Sequence, residues 1–203
     1  MCTISGPDGA GKTTLCESLQ RQLELRGIHT VYAWTRWSGD FSRPLFRIFG
    51  WQPTRWSDRP RISHLEQLAR EWIEVPEYTL LTLIRLSRAI RQQPEVLIVD
   101  RYVMDATIDL AIHTRKERLE LDKFSQYLVD RLPKPKLSVV LIPNDATLRA
   151  RRPDAEGREL LARVSLYERA ARAPGYIVLN AEIRPGTLAE QLVELMATSL
   201  VAT

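Results

Sequence analysis

Gly6-Pro7-Asp8-Gly9-Ala10-Gly11-Lys12-Thr13-Thr14 is the stretch that decides the fold of this chain. It reads GxxxxGK[ST], follows the short apolar run Met1 to Ile4, and precedes Leu15, Leu19 and Leu23, whose spacing marks one face of a helix. Strand, glycine loop and helix in that order suit a loop that curls around a polyphosphate. Glycines remove β-carbons from the inner side of the curl, so backbone N–H groups can point inward, and the helix N-terminus behind them adds partial positive charge. On this chemistry Gly6, Pro7, Asp8, Gly9, Ala10, Gly11, Lys12, Thr13 and Thr14 form the candidate ATP-binding element. Lys12 would reach the β- and γ-phosphates and the Thr13 hydroxyl would ligate Mg²⁺. The plainer alternative is a glycine-rich turn that only enters a helix.

Further along, Glu95-Val96-Leu97-Ile98-Val99-Asp100 is an unbroken apolar run that ends in an acid. Strands covered by helices on both faces look like this. An aspartate at the carboxyl end of such a strand is what a P-loop nucleotide enzyme uses to hold Mg²⁺, so Asp100 joins Thr13 as the candidate metal site. Its other reading is a cap on the helix that follows.

The remaining elements fall into the same alternation. The helix after the loop is expected to run to about Arg26 and stop at Gly27. Thr30 to Trp34, Leu137 to Ile142 and Tyr176 to Leu179 read as further strands. Helical periodicity runs from about Ile62 to Val75, breaks at Pro76 and resumes from Glu77 to Gln92. More helices are expected over Glu117 to Leu132, from Asp145 to Arg151, and over Thr187 to Leu200. The stretch between Thr35 and Pro60, which holds Trp37, Trp51 and Trp56, shows no readable pattern. The alternation predicts one α/β domain over residues 1–203: a five-stranded parallel sheet with helices on both faces and ligands outside the carboxyl ends of its strands.

Composition narrows the function classes. A chain of 203 residues, 44% hydrophobic and 27% charged, is long and apolar enough to bury a core. A net charge of +4 and a pI near 9.3 suit an anionic ligand, but the excess is too small to argue for nucleic acid. Cys2 and Cys16 lack metal or redox spacing and are expected to be reduced, buried thiols. The most apolar stretch, Tyr78 to Ile90, is interrupted by Arg85 and Arg88, which argues against a membrane span. No secretory pattern precedes the first strand, so the cytoplasm is the expected location.

Three stretches together resemble the thymidylate kinase family of P-loop nucleoside monophosphate kinases. One is the glycine loop, with its carboxylate at Asp8 and doubled threonine. Another is Asp100-Arg101-Tyr102, similar to that family's Asp-Arg-Tyr or Asp-Arg-Phe signature. The last runs from Leu141-Ile142-Pro143 through Arg149 into Arg151-Arg152-Pro153-Asp154-Ala155-Glu156-Gly157-Arg158, similar to its fourth strand and arginine-rich lid, here about residues 150–159. The tail from Tyr176 to Ala181 with Pro185 also fits, so the resemblance spans the chain. It implies transfer of the γ-phosphoryl group of ATP, with Mg²⁺, to a nucleoside monophosphate, dTMP foremost, without nucleic acid or membrane as partner. It also implies catalytic roles for Lys12, Arg101 and a lid arginine. Arg149, Arg151, Arg152 and Arg158 are the candidates, because Gly9 stands where some relatives carry an arginine. Arg101 resembles the residue that grips the acceptor's phosphate, and Asp8 the one that meets its sugar. Members of the family tend to form homodimers through helices; Leu80 to Ile90 or Phe124 to Leu132 would serve, or would serve ordinary core packing.

The departures from the family pattern lie on the acceptor side. Thr35-Arg36-Trp37-Ser38-Gly39 replaces the family's Thr-Arg-Glu-Pro-Gly-Gly, and Leu80-Leu81-Thr82-Leu83-Ile84-Arg85 lacks the usual phenylalanine. Acceptor candidates are therefore Asp8, Arg36, Trp37, Tyr78, Arg85, Arg88, Arg101, Tyr102 and Asp105. Trp37, Tyr78 and Tyr102 would stack on a base or belong to the core. The lid arginines have a second reading as a salt-bridged surface, and Arg101 as a structural partner of a nearby acid. Asp105 and Asp109 favour a related kinase whose acceptor carries hydroxyls. A non-catalytic ATP-binding regulator is the reading from another class.

Overall fold

The computed structural model describes residues 1–36, 39–50, 64–114, 119–153 and 157–201, without the side chains of residues 158 and 199–201. Trp37, the side chain of Arg158 and the 154–156 part of the expected lid lie outside the described residues.

Five short strands form one sheet: β1 (Cys2–Ser5), β2 (Thr30–Trp34), β3 (Val96–Asp100), β4 (Leu137–Ile142) and β5 (Tyr176–Asn180). Their order is β2-β3-β1-β4-β5 and every pair is parallel. Alternation along each strand divides the core in two. Ile4, Ile98, Val139 and Leu141 pack with Leu15, Leu19, Leu188 and Leu192 from α1 (Lys12–Glu24) and α8 (Pro185–Val201). Leu97 and Val99 face the other way, toward Tyr78 and Leu86 of α3 (His64–Ile90). On that second face Val140 packs with Met104, Ile108 and Tyr167 from α4 (Val103–Thr114) and α7 (Gly157–Ala170). Three shorter helices, α2 (Ser42–Ile48), α5 (Lys123–Val129) and α6 (Asp145–Arg151), complete the described elements.

The chain places β3 and β2 on one side of β1 and β4 and β5 on the other. The winding reverses there, and a crevice opens beyond the carboxyl end of β1. The loop of residues 6–11 occupies that crevice.

Several expected boundaries are corrected. The helix expected to break at Pro76 runs through it: α3 is continuous from His64 to Ile90. Val75, Tyr78, Thr82, Leu86 and Ala89 are buried along one face of it, and that packing outweighs one lost backbone hydrogen bond. The helix expected over Glu117 to Leu132 is shorter. Asp122 caps α5 by accepting from the N–H groups of Phe124 and Ser125, while its own N–H donates to Glu71 Oε1 at 2.6 Å, so residues 119–122 stay outside the helix. Residues 103–114, for which no element is expected from the sequence, form α4. The unreadable stretch contains α2. Both cysteines are free and buried, as expected.

Candidate active site

The loop takes its shape from backbone constraints that only glycine meets. Gly6 has φ +150°, and a β-carbon there would stand 2.4 Å from the Leu141 carbonyl oxygen. Gly9, at φ +91°, is crossed by the end of α6, with Leu148 and Arg152 against the space a β-carbon would need. Gly11 is the N-cap of α1. Lys12 is only 5% exposed, and its ammonium donates to the carbonyls of Gly6 at 2.7 Å and Pro7 at 2.9 Å. Burial and the nearby Arg101 lower its pKa against the pull of Asp105 and Asp8. Lys12 is thus held inside the curl of the loop, where backbone N–H groups and one cation can meet a polyphosphate.

Asp100 ends β3 beside this loop and does not cap α4. Its Oδ2 accepts the Thr13 hydroxyl at 2.9 Å and the Tyr32 hydroxyl at 3.0 Å. Its Oδ1 is buried and has no hydrogen-bond partner among the described residues. Thr13 and Asp100 fit a hydrated Mg²⁺, an ion that keeps several waters and takes one or two protein ligands beside phosphate oxygens. Among the described residues no group of three or more His, Cys, Asp or Glu is arranged to hold a metal.

Arg101 has φ +68°, a left-handed conformation that is uncommon outside glycine. Its N–H donates to the Ile4 carbonyl at 2.9 Å and its carbonyl accepts the Thr35 hydroxyl at 2.6 Å, so β1 and the end of β2 fix the turn. The turn aims the guanidinium at Asp8, with Asp105 3.6 Å away. Arg36 at 3.5 Å and Arg152 at 3.7 Å also face Asp8, so three guanidinium groups surround one carboxylate. Burial raises the Asp8 pKa, but Arg101, Lys12 and Arg36 outweigh it and hold the group at about 2.

Of the arginines expected in a lid, Arg151 donates to the Gly9 carbonyl at 3.1 Å and Arg152 faces Asp8, while exposed Arg149 lies against Gly157. Sequence reasoning overlooked Glu182, which ties this helix to the loop after β5. It accepts the Asn144 N–H at 3.2 Å and the Thr147 hydroxyl at 2.8 Å. A cavity of about 560 Å³ lies over the glycine loop between Arg101, Arg151 and this 181–185 segment, within the usual size of a small-molecule site.

The remaining acceptor candidates are placed differently. Tyr78 and Tyr102 are 4% and 6% exposed, and the Tyr102 hydroxyl donates to the Pro133 carbonyl at 2.6 Å, so both rings sit in the core. Asp105 is absorbed into the fold: it accepts the Gly6 N–H at 3.4 Å, the Tyr102 N–H at 3.1 Å and the Tyr167 hydroxyl at 2.7 Å. Asp109 pairs with Arg163, another residue sequence reasoning passed over, and that guanidinium holds its pKa down against burial. Arg85 donates to the Arg36 carbonyl at 2.7 Å and so positions a neighbour of Asp8; Arg88 is exposed.

Fold and loop together define a P-loop NTPase-like α/β protein. Compared with known proteins, the chain matches no protein-family model and no curated protein. Among the described residues no helix is long and apolar enough to cross a membrane.

Proposed function

We propose that this chain is an ATP-dependent phosphotransferase of the thymidylate kinase type, passing the γ-phosphoryl group of ATP to a nucleoside monophosphate, with dTMP the first acceptor to test. The observation that carries the proposal is the convergence of Arg36, Arg101 and Arg152 on Asp8, within the loop that would hold the donor. Guanidinium forks suit the bidentate grip of a phosphate monoester. The carboxylates nearby are poor general bases for an alcohol. Asp8 is held at about 2, Asp109 is ion-paired, and Asp105, although burial raises its pKa, is closed off from an acceptor with its oxygens already accepting three hydrogen bonds. An acceptor already ionised at phosphate needs no such base.

In the transfer, an acceptor phosphate oxygen bonds to the γ-phosphorus as the bond to the bridging β–γ oxygen breaks, and ADP leaves. Lys12 and the loop N–H groups hold the polyphosphate, Arg36 and Arg101 hold the acceptor, and Arg149, Arg151, Arg152 or Arg158 offsets charge on the transferred group. Mg²⁺, held by Thr13 and Asp100, would neutralise phosphate charge. In this reading the 150–159 segment closes as a lid, and the enzyme works in the cytoplasm on nucleotides alone.

A second reading, the same transfer to a different acceptor, is favoured by the burial of Tyr78 and Tyr102, which leaves neither ring open to stack on thymine. A coupled-enzyme assay of ADP release decides between them, with ATP·Mg²⁺ against dTMP, dUMP, the other common monophosphates and their nucleosides. Turnover with dTMP supports the first reading, and turnover only with another acceptor supports the second. ATP binding without turnover on any acceptor overturns both in favour of a regulatory protein.

A further inference from the structure

The two oxygens of Asp100 have different surroundings. Oδ2 accepts two O–H donors, Thr13 and Tyr32, and Oδ1 is buried without a partner among the described residues. Thr13 has a second duty as a metal ligand in the proposed site, so Tyr32 is the donor with no other task there. The sheet brings it into place. β2 lies parallel beside β3 with Tyr32 opposite Ile98 and Trp34 opposite Asp100. Registered residues share a face, so the phenol stands on the face of the Asp100 carboxylate, one pair behind it. β2 is an edge strand and Tyr32 keeps 38% exposure, so close packing alone does not direct its hydroxyl to Asp100. An aspartate's terminal torsion is soft and nearly two-fold. With one donor the carboxylate can turn and exchange its oxygens; two donors on Oδ2 hold it.

We infer that Tyr32 is a positioning residue for the metal centre: its hydroxyl fixes the Asp100 carboxylate so that Oδ1 is presented to the hydrated Mg²⁺ of the bound nucleotide. This rests on the phosphoryl-transfer reading above. Tyr32 does not touch the metal, and acts through Asp100. Removing a hydrogen-bond partner of a metal ligand typically lowers metal affinity about 10–100-fold.

The test is Mn²⁺ binding, followed by the loss of the free-ion electron paramagnetic resonance signal in the presence of a non-hydrolysable ATP analogue. Wild type, Tyr32→Phe, Asp100→Asn and the double variant are compared. Tyr32→Phe is expected to weaken Mn²⁺ binding by about 10-fold, with Tm and metal-free analogue affinity unchanged, and to add nothing once Asp100 is Asn. Equal Mn²⁺ affinity in Tyr32→Phe and a tightly binding wild type overturns the role of Tyr32 and leaves the phosphotransfer reading standing. So does an equal loss in the Asp100→Asn background, or a fall in Tm with Mn²⁺ affinity kept. A wild type that shows no analogue-dependent Mn²⁺ binding overturns both.

Discussion

The two halves of the proposed site, one for the donor and one for the acceptor, are built in different ways. The donor half is a single run of chain, residues 6–14, closed by one strand-end acid, Asp100. Its geometry comes from backbone that tolerates no β-carbon at Gly6 and from a lysine bonded to its own loop. The acceptor half is assembled from β2, α3, α4 and α7, and its charged side chains are largely taken up by neighbours: Asp105 by the N–H groups of Gly6 and Tyr102 and the Tyr167 hydroxyl, Asp109 by Arg163, Arg85 by the Arg36 carbonyl. A donor half of this kind changes chemistry when altered, whereas an acceptor half held by mutual pairing changes stability first.

The sharpest break of that contrast is Lys12→Ala. Among the described residues the ammonium's hydrogen bonds run to the Gly6 and Pro7 carbonyls of its own loop, so its loss should reduce phosphoryl transfer by at least ~10³-fold while leaving Tm within a few degrees. Single-turnover ADP formation and a thermal melt on the same sample measure both. A variant with unimpaired turnover removes the donor half from the chemistry.

The same contrast explains what could be read from the chain alone. Thr30–Trp34 and Leu137–Ile142 have the bounds expected, because β-branched runs between turn residues carry their signal locally. The glycine loop and the strand that ends at Asp100 are legible because each is one unbroken run of sequence. Pro76 misled because a local breaker was set against the buried face of a 27-residue helix, a tertiary effect that no window reveals. The positive φ of Arg101, the Tyr32–Asp100 bond and the Asp105–Gly6 bond were invisible: the last joins residues 99 apart in the chain, and none follows from periodicity.

Asp105→Asn tests the acceptor half at its most connected point. An amide keeps one acceptor oxygen and turns an NH₂ toward donors on Gly6, Tyr102 or Tyr167, leaving a buried clash of donors beside Arg101. A loss of about 2–4 kcal/mol in denaturant unfolding is expected, with transfer falling because Gly6 and Arg101 shift. A variant as stable as wild type but unable to select its acceptor would mean that Asp105 faces substrate after all.

The smallest effect separates two acids, Glu74 and Asp8, by the sign of their proton linkage. Glu74 on α3 is 4% exposed, has no hydrogen-bond partner on Oε1 among the described residues, and borders a void of about 20 Å³, room for one water. Burial raises its pKa, with Glu77 and Asp109 adding to the rise and Arg70 and Arg43 opposing it, from 4.5 to about 8. The native state therefore holds a proton that the unfolded chain releases near 4.5. This contribution is fully present below pH 4.5 and is lost as pH rises through about 8. Asp8, lowered from 3.8 to about 2, contributes in the opposite sense: present above 3.8, lost as pH falls toward 2. Glu74→Gln mimics the protonated acid. It should match wild type in Tm near pH 4, exceed it by ~5 °C, or roughly 2 kcal/mol, near pH 8.5, and leave the acid limb below pH 4 unchanged. A difference between the two melting curves that stays flat from pH 4 to pH 9 would show Glu74 ionised in the fold, as Asp8 is.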